Sequence, residues 1–496
     1  MVTRRFFIGG AAAAGAFGGC RLFRSAHGLF GDGAPELAFG VVSDVHVLGS
    51  NAAPEEHCVF RGDTRLWQET LKWFGNQGVD AVMVTGDMAD YGMVEELEAV
   101  AEAWNRVFPG GRAPDGRKVE KLFTSGNHEM NGFLYDDYAK LKFPEIRECR
   151  RHVLRADFAR HWERILGEQY SHLSVKEVKG YRFITTHWGD ETDMSVGYCK
   201  NIFGVELQDY LDRTGKSIDP GKPFFYYQHP HLKDTCFGSW AWGRDDGKTT
   251  RALSRFGNAV AFSGHAHYPL TDERNIWQDS FTSLGASSLR FSECTHASMG
   301  SFGYENTGAT DREADSVKTT PHLPQGESPQ GMLVKVYGDR IVISRHEFPS
   351  GAALGDDWVV PTSESRPFGF ASRAGKSKAP LFRSAATVSV RHVKAAARKG
   401  NGEKKAIELS FPSASSTCGG RVMAYEISAI GDNGAKRTFH LLDRAFNRPG
   451  EILRSSVNRM TISADRLPKG NLRCEVVPLD CWRNKGKPIE GHAKII

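Results

Sequence analysis

The sequence predicts an α/β protein, a mixed sheet covered by helices, followed by an all-β sandwich. Three observations carry this. From residue 37 onward, short apolar runs alternate with stretches of helical period. Two turn signals, Lys179-Gly180 and Gly338-Asp339, add antiparallel hairpins to that pattern. After Leu381 no helical period remains, and roughly six short alternating runs follow one another, the rhythm of a β-sandwich.

The elements follow in order. Residues 37–43 have the composition of a buried strand. Leu66, Trp67, Thr70, Leu71 and Phe74 recur at helical spacing, and 81–85 is a second strand. Leu97, Val100, Ala101, Trp104, Val107 and Phe108 fall at i, i+3, i+4, i+7, i+10 and i+11, one apolar face of a helix. A third strand is expected at 122–125 and a helix at 158–166. Runs 170–178 and 181–186 flank the first hairpin turn. Strands at 224–228, 259–263 and 281–291 follow, and the hairpin 332–336/340–345 closes the unit. Residues 349–380 are rich in Pro, Gly, Ser and Lys and read as a linker. The expected organisation is therefore a leader and tether at 1–35, an α/β domain at 36–348, the linker, and a β-sandwich at 381–496.

The leader has its own signature. Arg4-Arg5 precede Phe6-Phe7-Ile8 and an Ala/Gly run, the charged and apolar regions of an export signal. The arginine pair resembles a twin-arginine signal. Phe17-Gly18-Gly19-Cys20 resembles a bacterial lipoprotein cleavage site, so Cys20 is the expected membrane anchor, with the protein periplasmic or held outside the cytoplasm. In an oxidising compartment, the remaining cysteines could pair or stay as buried thiols; no Cys-x-x-Cys motif is present.

Composition narrows the partners. Lys plus Arg number 64 and Asp plus Glu 59, a formal charge of +5. So small a net charge argues against a dedicated nucleic-acid binder without excluding one. The charge is unevenly held: residues 381–496 contain 21 basic and 10 acidic side chains, the remainder 43 and 49. Two readings of the basic sandwich stay open: it rests on an anionic surface such as lipid headgroups, cell-envelope polymer or another subunit, or it is simply a soluble basic domain.

Five polar clusters end the apolar strands of the α/β unit: Asp44-Val45-His46, Gly86-Asp87-Met88-Ala89-Asp90, Gly126-Asn127-His128-Glu129, Gln228-His229-Pro230-His231 and Gly264-His265-Ala266-His267. Ligands bind where strands end and loops emerge, so neighbouring strands would bring all five to one rim. Asp, Asn and His without thiolates suit Mn, Fe, Zn or Co. Asp44, His46, Asp87, Asn127, His229, His265 and His267 exceed the needs of one tetrahedral ion and suit two ions sharing a carboxylate. Such a pair lowers the pKa of water towards ~7 and clamps an in-line displacement. His128 is then free to act as general acid. Glycines before Asp87, Asn127 and His265 are expected to allow sharp exit turns. Asp90 is expected to accept loop amides, and Glu129 to orient His128 or cap the following segment. His187 and His231 are candidate substrate contacts, while His57, Trp240 and Trp242 read as loop or packing residues.

The ordered blocks D-x-H, G-D-x-x-D, G-N-H-E, a later His and G-H-x-H resemble the calcineurin-like metallophosphoesterases over about residues 37–348. The resemblance implies a four-layer α/β/β/α sandwich of two mixed sheets. It implies Asp44, His46 and His267 on a first metal, Asn127, His229 and His265 on a second, Asp87 bridging, and His128 beside the scissile phosphate. The metals implied are two divalent or mixed-valence ions of Mn, Fe or Zn type. Tyr91 does not align with the tyrosine ligand of the purple acid phosphatase branch, which argues against a tyrosinate centre. The strand 472–480 also resembles the last strand of a fibronectin type III-like domain. The function implied is an exported phosphoesterase acting on a phosphomonoester or phosphodiester. The alternatives are a nuclease or nucleotidase of the same family, or a non-catalytic surface-binding protein on the same scaffold.

Overall fold

In the computed structural model, the described residues are 33–47, 64–132, 153–189, 203–237, 243–290, 329–362, 367–396, 403–416, 421–443, 446 and 457–495. Strands β1 (Leu37–Val42), β2 (Ala81–Val84) and β3 (Glu120–Phe123) run parallel. A second sheet holds β4 (Leu173–Val178), β5 (Tyr181–Thr186), β6 (Phe224–Tyr227), β7 (Ala259–Ser263), β8 (Ile276–Gln278) and β9 (Thr282–Gly285), in the order β4-β5-β6-β7-β9-β8. The β4–β5 turn takes Lys179 and Gly180 through φ of 50° and 75°, the two left-handed residues a tight hairpin requires. Strand β10 (Gln330–Val336) returns antiparallel to β1, and β11 (Arg340–Glu347) pairs antiparallel with β10, so both extend the first sheet.

The sheets pack face to face. Phe39 of β1 meets the rings of Phe183, Phe225 and Phe262 at 5.3, 5.0 and 5.9 Å, and Met83 and Val334 join the same core. The outer face of the first sheet is covered by helices Arg65–Asn76, Val94–Val107 and Phe158–Leu166, through Trp67, Phe74, Leu97, Trp104 and Trp162. Helices Phe203–Thr214 and Lys248–Leu253 cover the second sheet through Leu207, Leu211 and Leu253. Strands buried on both faces need apolar residues throughout, which is why β1, β2 and β6 read as unbroken apolar runs. The result is the four-layer α/β/β/α sandwich.

Beyond it, β14 (Ser389–Ala396), β15 (Glu403–Pro412) and β18 (Val457–Ser463) form one antiparallel sheet. Strands β16 (Val422–Gly431), β17 (Lys436–Leu442), β19 (Gly470–Asp480) and β20 (Ile489–Ile495) form another, ordered β17-β16-β19-β20. Ile407, Leu409, Tyr425, Ile427, Phe439, Ile462 and Val476 fill a shared core.

One expectation is corrected. The stretch 349–380 is not a bare linker. It contributes β12 (Ala352–Ala353) and β13 (Trp358–Pro361) to the edge of the first sheet, each pairing with β11, and a helix at Phe370–Lys376. Short edge strands tolerate the Gly, Pro and Ser that suggested a linker. Among the described residues, no helix is long and apolar enough to cross a membrane. Cys236, Cys474 and Cys481 are buried free thiols. The leader with Cys20, and Cys58, Cys149, Cys199, Cys294, Cys418, His57, Trp240 and Trp242, lie outside the described residues.

Candidate metal centre

The five clusters meet where β1, β2, β3, β6 and β7 end, on one rim shared by both sheets. Backbone bonds lock the loops together: Asp44 N donates to Gly86 O at 3.0 Å, His46 N to Asp87 O at 3.0 Å, and Gly264 N to His229 O at 2.8 Å. Asp44, His46, Asp87, His265 and His267 all adopt positive φ, between 43° and 69°. Such conformations are uncommon for non-glycine residues and cluster at functional sites.

Three groups of side chains bring potential ligand atoms within 4.8 Å of one another: Asp44, His46 and His267; Asp87, His229 and His265; and, between them, His46, Asp87 and His128. In the first, Asp44 Oδ1 lies 2.8 Å from His267 Nε2 and 3.7 Å from His46 Nε2, and the two imidazole nitrogens are 3.4 Å apart. In the second, His229 Nε2 lies 2.9 Å from Asp87 Oδ2 and 3.0 Å from Asn127 Oδ1.

The hydrogen bonds around each ring show which nitrogen faces inward. His46 Nδ1 bonds Asp90 Oδ1 at 2.8 Å, and His229 Nδ1 donates to Thr85 O at 2.7 Å. Both acceptors are oxygens, so each Nδ1 carries the proton and each Nε2 turns a lone pair into the site. The centre is thus a meeting of acceptors. Asp44 Oδ1 is buried and makes no hydrogen bond of good geometry. Such a donor set calls for a cation, and the residues fit divalent metal ions of borderline character. The same crowding governs protonation. Burial opposes charge on His229, but Asp87 and Asp44 together push its pKa up to about 9, so a proton and a cation compete for the Nε2 lone pair. Burial likewise opposes ionisation of Asp87, yet His229 and His128 hold its carboxyl well below the usual range.

Two acidic residues do work that their sequence positions did not reveal. Asp90 was expected to accept loop amides; its carboxylate instead orients the His46 ring, and its carbonyl accepts from His128 Nδ1. Nothing in the spacing signals this, because His46 precedes it by 44 residues. Glu129 accepts from Gly126 N at 2.6 Å, Ala89 N at 2.8 Å and Asp87 N at 3.1 Å, stapling two loops rather than touching His128. Burial, with Asp87 nearby, raises its pKa to about 7. His128 has the most open ring of the cluster; its Nε2 is 4.0 Å from Asp87 Oδ2, and burial lowers its pKa.

Two candidate substrate contacts are corrected. His187 is buried; its Nδ1 accepts from Ser125 N at 3.2 Å and its ring packs on Trp162 and Tyr170. His231 is buried against Tyr268, with Nδ1 3.1 Å from Ser263 Oγ. Burial pushes both pKa values down to about 3. Both are neutral packing residues that tie strand ends together.

The glycines also differ from expectation. Gly86 has φ of 106°, as a sharp turn requires, but Gly126 is extended. Gly126 and Gly264 are needed for close approach: a Cβ would lie 2.1 Å from Asp87 Oδ1 and 1.9 Å from Ser43 Oγ, respectively.

Residues 37–269 match the model of the calcineurin-like phosphoesterase family. These residues form a calcineurin-like phosphoesterase domain. Solved structures similar to the chain include a dimetal phosphatase from Danio rerio, 13% identical, covering 66% of this chain and 100% of its own, with a TM-score of 0.35. A purple acid phosphatase, PPD1, from yellow lupin seeds is 11% identical over 66% of this chain and 53% of its own, with a TM-score of 0.38. A conserved uncharacterised protein from Streptococcus pneumoniae TIGR4 is 12% identical over 66% of this chain and 97% of its own, with a TM-score of 0.28. No curated protein matches the sequence. The phosphoesterase domain carries its polar clusters on the strand-end loops between residues 43 and 267, inside the matched range.

Proposed function

We propose that the protein is an exported, two-metal phosphoesterase that hydrolyses a phosphomonoester or phosphodiester. The observation that carries this is the pair of ligand groups that approach one another through Asp87. Asp44, His46 and His267 would hold one ion, Asn127, His229 and His265 the other, and Asp87 would bridge. Divalent metals of Mn, Fe or Zn type would supply charge neutralisation and an activated water at neutral pH.

The chain's own contribution is orientation and proton transfer. Asp90 and Thr85 fix the His46 and His229 rings with their lone pairs inward. The Asp90 carbonyl holds the Nδ1 proton of His128, so Nε2 is the atom that exchanges a proton with the substrate. From there it would deliver a proton to the departing alkoxide.

The test uses purified protein with added Mn²⁺ on p-nitrophenyl phosphate and its bis ester. Metal-dependent turnover is expected, and Asp87→Asn should abolish it. Absence of turnover with both esters, or an unaffected Asp87→Asn, would overturn the reading in favour of a binding scaffold.

Export rests on Arg4-Arg5 and the Cys20 context. Lysines at both arginine positions should retain the protein in the cytoplasm, and Cys20→Ala should release it from the membrane fraction. The C-terminal sandwich has a basic excess that would suit an anionic surface, although Arg391 and Arg459 already pair with Glu408, and Lys404 with Asp465. Retention on anionic vesicles that high salt removes would support such contact.

A further inference from the structure

The eight residues after His267 are gripped by the rest of the chain. Leu270 N donates to Gln330 Oε1 at 2.7 Å and Leu270 O accepts from Arg345 Nη1 at 2.8 Å, while Asn275 Nδ2 closes the segment on itself through Tyr268 O at 2.9 Å. Two ionic anchors extend from this turn toward the C-terminal sandwich. Arg274 is held on Asp272 by contacts of 3.0 and 2.6 Å, and its Nη2 reaches Met423 Sδ of β16 at 3.5 Å. Glu273 accepts from Arg345 at 2.8 Å, Arg373 at 2.7 Å and the Trp358 indole at 2.9 Å.

Arg373 makes the short helix Phe370–Lys376 a wedge. Its guanidinium bonds Glu273 and Ile276 O on one side and lies 5.1 Å from the Trp482 ring on the other. Ser377, the next residue after the helix, donates to Asp480 Oδ2 at 2.6 Å. Arg421, at the start of the sandwich's second sheet, donates to Leu354 O. Asp272, Arg274 and Arg345 are nearly fully buried. Buried charges tolerate separation from their partners poorly, so this junction resists opening.

We propose that the C-terminal sandwich is a clamp on residues 268–275, and through them a positioning element for His265 and His267, with Glu273, Arg274 and Arg373 as its positioning residues. Metal loading and docking of the sandwich are then one linked equilibrium: whatever orders the His265–His267 loop also tightens the junction. The inference rests on the metal-centre reading above.

Cys481 provides a reporter. It is buried at the junction, packed with Met423 and Leu479, and close enough to Asp272 and Arg274 to feel their charges. Cys474 lies in the sandwich core, away from the junction. In the full-length protein, Mn²⁺ binding is followed by calorimetry while alkylation of each thiol is read by peptide mass spectrometry. Saturating Mn²⁺ is expected to slow alkylation of Cys481 about fivefold or more and to leave Cys474 little changed. Arg373→Lys and Ser377→Ala should each weaken Mn²⁺ binding several-fold. Ile407→Val, which trims the sandwich core far from the junction, should leave it within about twofold. Mn²⁺ binding with unchanged Cys481 reactivity would overturn the clamp. So would Ile407→Val weakening Mn²⁺ as much as Arg373→Lys. No Mn²⁺ binding by the unaltered protein would instead overturn the metal-centre reading, and the clamp with it.

Discussion

Replacing Gly126 with alanine separates a glycine needed for its size from one needed for its backbone freedom. Gly126 has φ −115° and ψ −168°, so alanine meets no conformational strain there. Its Cβ, however, would sit 2.1 Å from Asp87 Oδ1, 2.7 Å from Asp87 N and 2.8 Å from His229 Cδ2. Real Cβ contacts essentially never fall below 3.0 Å, so Asp87 must retreat by about 0.9 Å. It has little freedom to do so. Its Oδ1 accepts from His128 N at 2.9 Å, its amide is held by Glu129, and its carbonyl takes the His46 amide. Overpacking of this kind costs about 1–3 kcal/mol in stability. A displacement near 1 Å at a reacting centre costs on the order of 100-fold in rate. Steady-state kinetics on the Mn²⁺-loaded protein with bis(p-nitrophenyl) phosphate and p-nitrophenyl phosphate should show that loss in kcat/KM, with weaker Mn²⁺ retention. Gly78→Ala is the control. Gly78 has φ of 81° and nothing within 4 Å, so it should lose about 1 kcal/mol of stability and no activity. Gly126→Ala with kcat/KM within about twofold of the unaltered protein would refute the close-packing argument.

Four further outcomes are expected. His128→Ala should keep both metals and lose about 10²–10⁴-fold in turnover, most on poor leaving groups; equal loss on good and poor leaving groups would count against proton donation. Asp90→Asn should weaken metal binding about 10–100-fold, because the His46 ring loses its carboxylate partner; metal titration monitored by calorimetry checks this. His187→Phe should lower stability by about 1–3 kcal/mol, through the orphaned Ser125 amide, and leave KM unchanged; a raised KM would restore it as a substrate contact. The junction should also have an acid edge. Burial opposes ionisation of Glu273, but Arg345 and Arg373 hold its pKa below the ordinary 4.5. A depressed carboxylate stabilises above its unfolded pKa and loses that contribution as pH falls through the lower folded value. Hydrogen exchange around residues 421–423 should therefore stay slow until the pH is below the range of free glutamates, and Glu273→Gln should remove that edge.

The candidate ligands were legible because each sits at the end of an apolar strand, in a spacing such as D-x-H that needs no knowledge of partners. Their supports were not. Asp90 acts on a ring contributed by another strand, and Glu129 acts on amides of the Asp87 loop, so both roles exist only once β1, β2 and β3 lie side by side. His187 and His231 were misread for a related reason. A strand end gives position on the rim, but not whether the ring turns into the site or back toward the Trp162–Tyr170 or Tyr268 side. In the fold, the long periodic helices and the buried strands announced themselves. Helix Phe203–Thr214 did not, with Leu207 and Leu211 as its fully buried core anchors among the described side chains, nor did three-residue β8. The stretch 349–380 looked like a linker because its composition reports local flexibility, whereas its structure comes from pairing with β11 and from ionic contacts to Glu273, both distant in sequence.

The backbone of the centre gives the strongest independent reason to regard it as functional. Asp44, His46, Asp87, His265 and His267 make up half of the non-glycine residues with positive φ among those described. Each such residue carries a cost of about 1 kcal/mol, reduced for Asp, whose short side chain tolerates the region. Packing alone does not demand it, since the sheet cores close without these side chains. The strain is offset by the loop-to-loop bonds from Asp44 N, His46 N and Gly264 N, and by the bond from His265 N to Asp44 Oδ2 at 3.1 Å. The first three join backbone groups alone, and glycine would supply them equally well while removing the strain; only the fourth draws on a side chain, the Asp44 carboxylate. What glycine could not supply is the convergence of carboxylate oxygens and imidazole lone pairs on a common point. The left-handed conformations are therefore tied to the side chains themselves, and through them to the cations that such a convergence requires.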